Sequence, residues 1–132
     1  MSLYSHVRKS FIASFKTRSQ TLRSRIAKWR KTPPVVRVDK PLNPLRARAL
    51  GYKATQDFIM LRSRIAHGKR RRRRPDLGRK PGKNRKTEPP GQQLRVLAEK
   101  RAARRYPNLK LINSYLVGAD GQYKFYEVIM KK

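Results

Sequence analysis

Residues 108–131 read NLKLINSYLVGADGQYKFYEVIMK, and this stretch decides the fold. Two runs rich in β-branched and aromatic residues, 109–117 and 122–130, flank a turn-forming cluster at Gly118, Ala119, Asp120 and Gly121. That pattern predicts an antiparallel hairpin. In the second run Tyr123, Phe125 and Ile129 alternate with Lys124, Tyr126 and Val128. Apolar groups on both faces place this strand in the middle of a sheet, with Tyr115, Phe125 and Ile129 in the core.

Immediately before the hairpin, QQLRVLAEKRAARRY (92–106) spaces Leu94, Leu97, Ala98 and Ala102 as a helix does, with Arg95, Arg101, Arg104 and Arg105 around the stripe. The hexapeptide LRSRIA occurs twice, at 22–27 and 61–66. Its second copy, in DFIMLRSRIAHG, has a β-like context. Leu61, Ser63 and Ile65 then point one way into a core, while Met60, Arg62 and Arg64 point the other, offering two arginines to phosphate. The first copy is helical: Leu3, Val7, Phe11 and Phe15 recur every four residues, and Leu22, Ile26 and Trp29 continue at four and three. This spacing predicts two helices broken near residues 17–19. Between the copies, VVRV at 35–38 is a candidate short strand. Asn43 as N-cap, Pro44 in the first turn and Gly51 as a stop predict a short helix over 44–50.

From Gly68 to Gly91 the chain reads GKRRRRRPDLGRKPGKNRKTEPPG, almost without apolar residues. Fully extended, this insertion would span roughly 80 Å at ~3.3 Å per residue, against a radius of gyration of about 14 Å for a domain of this length. It is expected to project from the core and to order only on a polyanion. The fold class is therefore α+β: a small, mostly antiparallel sheet packed with helices, an N-terminal helical arm and a long basic extended insertion. A single domain over 1–132 is expected, with a basic arm at 1–31, a core from 32–66 and 91–132, and the extension at 67–90.

Thirty-six Lys and Arg against seven Asp and Glu give a formal charge of +29. Self-repulsion of that size opposes compaction unless a polyanion neutralises it. Cysteine is absent, and the two histidines, His6 and His67, lie far apart. No metal or cofactor is therefore expected. The acids Asp39, Asp57, Asp76, Glu88, Glu99, Asp120 and Glu127 are scattered among basic neighbours as counter-charges. No clustered carboxylates or nucleophile–base pair emerge, so no catalytic residue, enzyme activity or small-molecule substrate is expected. No apolar run reaches the ~20 residues that span a bilayer, and no membrane partner is expected. Residues 1–38 contain no acid and share the Arg- and Ser-rich composition of organelle transit peptides.

Basic residues occur in every segment, whereas a sequence-specific DNA reader more often concentrates them on one element. The candidates for phosphate contact are Arg23 and Arg25, Arg46 and Arg48, Lys53, Arg62 and Arg64, the run Arg70, Arg71, Arg72, Arg73 and Arg74, and Arg101 and Arg105. Trp29 and Tyr52 sit among basic residues and are candidates equally for the core and for stacking on bases. The rival readings are a DNA-compacting protein and a membrane-active amphipathic protein.

Leu50-Gly51-Tyr52-Lys53-Ala54 with Gln56, the basic run after Gly68, Ala98-Glu99, and Asn113-Ser114-Tyr115 with Val117-Gly118 and Tyr123-Lys124-Phe125 resemble the 15e family of the large ribosomal subunit of archaea and eukaryotes. The motifs keep the family's order across nearly the whole chain, and similarity in the N-terminal helices argues against a cleaved leader. The resemblance implies a structural protein of the archaeal large subunit in the cytoplasm, bound to ribosomal RNA and neighbouring ribosomal proteins. It also implies a core ordered strand, helix, strand, helix and two strands. Two departures stand out. Family members usually continue past the hairpin into a further basic region, whose contacts cannot be carried over, and Asp57 stands where the family usually has glycine after Gln56.

Overall fold

The fold is seen in a computed structural model that describes residues 2–73, 82 and 85–132. Helix α1 (Leu3–Thr17) and helix α2 (Gln20–Lys31) are separated where Arg18 turns left-handed at φ 49°. The Ser19 hydroxyl caps α2 by accepting from the Leu22 N–H at 3.4 Å, so the break falls where a capping residue is available. Strand β1 (Val35–Val38) follows, then helix α3 (Pro44–Ala49). The Asn43 side chain caps α3 through the Arg46 N–H at 3.1 Å, and Gly51 supplies the positive φ of 98° just beyond it. The helix ends at Ala49, one residue earlier than its spacing predicts.

Strand β2 (Phe58–Ala66) leads into the insertion; helix α4 (Leu94–Arg105) and strands β5 (Lys110–Ala119) and β6 (Tyr123–Lys131) complete the core. These four strands form one antiparallel sheet in the order β1-β2-β6-β5. β6 is thus central, as its two apolar faces require. The turn is tighter than expected, because Gly118 and Ala119 belong to β5. The Asp120 carboxylate closes it by accepting from the N–H groups of Gln122 at 2.8 Å and Tyr123 at 2.6 Å.

Helices cover both faces of the sheet. On one, Leu22, Ile26 and Trp29 of α2 and Ala47 of α3 pack on Met60, Tyr115, Val117, Phe125 and Ile129. On the other, Ala102 lies over Ile59, Leu61, Val128 and Met130, and Ala98 over Ile65 and Tyr126. Two alanines four residues apart, both fully buried, let α4 lie close against the sheet. Each large buried side chain contributes about 1.5–3 kcal/mol, so β2 and β6, lined on both sides, carry most of the stability.

Two expectations are corrected. The Met60, Arg62 and Arg64 face of β2 is not an open phosphate-facing surface, because α2 covers it: Met60 is buried and both arginines are half-buried. The insertion does not run out fully extended from its root. Strand β3 (Arg70–Arg71) pairs antiparallel with strand β4 (Thr87–Glu88), so the excursion returns on itself at its base. Arg74 and residues 75–81 lie outside the described residues.

Candidate nucleic-acid interface

The elements present the basic side chains because their apolar positions are already used inside. In α2 the buried Leu22, Ile26 and Trp29 leave Arg23 and Arg25 exposed; in α3 the buried Ala47 leaves Arg46 and Arg48 exposed, with exposed Lys53 close behind. Along α4 the buried Ala98 and Ala102 turn Arg101, Arg104 and Arg105 outward. Those three arginines line a groove with Pro33, Pro34 and Val35 beside β1. Arg104 was not among the sequence candidates. Its helical phase, two positions from buried Ala102, was the available signal. At the root of the insertion Arg70, Arg71 and Arg73 are exposed and Arg72 is half-buried.

Arg62 and Arg64 stand apart from this set. The Arg62 guanidinium lies 4.5 Å from the Trp29 ring centroid and Arg64 lies 4.8 Å from that of Tyr123. Burial pulls the Arg62 guanidinium below its ordinary value, and the charge of Glu127 opposes the shift. Arg64 donates to the Arg30 carbonyl oxygen, while Arg101 donates to the Arg64 carbonyl oxygen at 2.5 Å. The two β2 arginines thus tie the sheet to α2 and α4. Of the two readings open for Trp29, its placement matches the core: it is 7% exposed, with Arg62 near its ring and Phe125 tilted against it at 5.4 Å. Tyr52 is half-buried and packs edge-on to Phe58 at 6.2 Å.

Four of the acids are spent on architecture. Glu88 meets Arg70 at 2.8 Å and Arg72 at 3.0 Å, closing the base of the insertion. The hydrogen bond from Arg70 holds its carboxyl below the usual carboxylate range. Glu99 pairs with Arg95 at 3.3 Å and accepts from the Ser114 hydroxyl, fastening α4 to β5. Asp120 lies 3.2 Å from Arg30. Glu127 is buried in β6, where its oxygens accept from the Leu42 N–H, just before α3, at 3.2 and 3.0 Å and from the Tyr115 hydroxyl. The sequence showed Glu127 only as one more counter-charge. Its carboxylate is instead a core fastener, and burial raises its pKa above the usual range.

With these acids engaged internally, the outward field is positive on the elements over both faces of the sheet. Among the described residues no three His, Cys, Asp or Glu side chains gather as a metal site, and no helix is long and apolar enough to cross a membrane. Such a surface suits a large, folded polyanion that contacts the molecule from several sides. Over residues 2–131 the sequence matches the protein family described as Ribosomal L15.

Proposed function

The chain belongs to the Ribosomal L15 family (15e) and is a structural constituent of the large ribosomal subunit, a component of the cytoplasmic ribosome; we propose that it binds and stabilises folded ribosomal RNA there through phosphate contacts. The observation that carries this reading is the division of charge. Arg23, Arg25, Arg46, Arg48, Arg101 and Arg105 are exposed on helices covering both sheet faces, while Glu99, Asp120 and Glu127 are engaged within the fold and Glu88 at the base of the insertion. A planar guanidinium donates a fork of hydrogen bonds to phosphate and stacks on bases, which suits folded RNA better than charge neutralisation alone.

Lys53 and the Arg70–Arg74 run extend the same surface in this proposal, the run reaching between RNA helices. Arg62 and Arg64 contribute by holding α2 on the sheet, with phosphate contact limited to what their half-exposed ends allow. Neighbouring ribosomal proteins are further partners in this proposal. No catalytic step is assigned to any residue, in keeping with a generally non-enzymatic family.

The competing reading is a DNA-compacting protein. It predicts equal affinity for duplex DNA and folded ribosomal RNA at matched ionic strength. A competition titration with the full chain separates the two: preference for the folded RNA supports the proposal, and indifference between the polyanions removes it.

A further inference from the structure

Helix α1 buries no residue, and Leu3, Tyr4, Val7 and Ile12 are 76%, 59%, 40% and 41% exposed. One flank of it faces a groove of about 950 Å³ whose other walls come from α3, the middle of edge strand β5, and residues of α4 and β6. That volume is near the top of the roughly 300–1,000 Å³ range of small-molecule sites. Tyr4, Arg8 and Phe11 follow one another along α1 at i, i+4 and i+7, one face of the helix. Arg46 enters from α3, Arg95 from α4, and the buried Tyr126 supplies part of the floor.

Four aromatic rings and three guanidiniums therefore meet in one groove, contributed by five elements. Among the described residues no acidic side chain lines it. Arg8 and Arg46 have no ion pair among the described residues, and only Arg95 is held, by Glu99 at 3.3 Å. Apolar walls alone would suit a segment of a protein neighbour. The uncompensated arginines add a requirement for negative charge beside an aromatic or apolar body, and a nucleotide combines the two.

We propose that this groove holds one unpaired nucleotide of the bound RNA, its base against Tyr4 and Phe11 of α1 and its phosphates against Arg8, Arg46 and Arg95. The proposal rests on the RNA-binding reading above and adds to it a preference for a locally unpaired position. Stacking on aromatic side chains is tolerant of base identity, so the groove recognises the absence of pairing and not a particular base.

The test uses the full chain with two probes, an RNA duplex and the same duplex carrying one bulged 2-aminopurine. The wild-type protein is expected to bind the bulged RNA about tenfold more tightly, in line with the contribution of one stacked base, with a change in 2-aminopurine emission. In a Tyr4→Ala/Phe11→Ala variant, which alters no buried residue, the preference and the emission change disappear while affinity for the plain duplex stays at the wild-type value. A preference retained by the variant overturns the proposal. So does equal wild-type affinity for the two RNAs, which leaves general RNA binding intact. Protection of α1 from amide exchange only after large-subunit proteins are added would assign the groove to a protein neighbour and also overturn it. Weak binding of both RNAs would instead refute the RNA-binding reading, and this proposal with it.

Discussion

Two residues show how closely the interior is specified. Gly118 lies in β5, where a Cβ would stand 3.1 Å from Cζ3 of Trp29 and 3.4 Å from Cδ1 of Ile26. Gly118→Ala should therefore press α2 off the sheet and destabilise the protein by about 1–3 kcal/mol, read from denaturant melts; an unchanged midpoint would show that α2 gives way freely. Glu127 makes the second case. Burial raises its carboxyl above the ordinary value of 4.5, against the opposing pull of the Tyr115 hydroxyl, the Leu42 N–H and Arg62. A raised folded pKa means that the folded state keeps a proton the unfolded state has released. The associated stability is complete below the ordinary value and declines as pH rises through the folded one. Glu127→Gln carries no charge to titrate, so the wild type should lose stability relative to the variant as pH rises across that window. Melts of both proteins from about pH 4 to about pH 8 check this, and parallel profiles would contradict it. Neither role was legible in the sequence. Gly118 stood in a cluster of turn-forming residues, and the Leu42 partner of Glu127 is 85 positions away in the chain.

At the scale of elements, local chemistry carried most of the information. Asn43 and Gly51 marked helix ends by capping and backbone freedom, period-two alternation marked β2, and apolar groups on both faces marked β6. What the sequence withheld depended on contacts between distant elements. The arginines of β2 alternate as a solvent-facing set should, but Trp29 from α2 covers Arg62. The β3–β4 ladder is only two residues long on each side, too short for a periodic signal, and is joined by Glu88 with Arg70 and Arg72. Exposed ion pairs are worth little individually. Glu88→Gln is therefore expected to free the base of the insertion with little effect on global stability, visible as faster amide exchange at residues 70–72 and 86–88 and nowhere in the core. The same experiment on the free chain should find β2 and β6 the slowest to exchange and α1, which buries nothing, among the fastest. Protection of α1 equal to that of β6 would mean that the helix is held by something other than the core.

For the whole molecule, a charge of +29 on 132 residues dominates. Each phosphate neutralised releases counterions, so affinity for RNA should fall steeply as salt rises. Replacing exposed Arg101 and Arg105 together by alanine should weaken binding across RNAs of different sequence and reduce the salt slope by about 1–2 units, as titrations at several salt concentrations would register. The charge distribution and the family motifs were legible in the sequence. The exposed basic side chains proposed to meet phosphate were legible only where helical phase set them opposite a buried stripe, as with Arg46 and Arg48 around Ala47. The central claim is that this positive surface fixes the chain within folded ribosomal RNA. Sedimentation of a native lysate through a sucrose gradient after a high-salt wash, with the chain detected in each fraction, tests it most directly. Retention on the large subunit is the predicted result; release to the top of the gradient, or migration with chromosomal DNA, would contradict it.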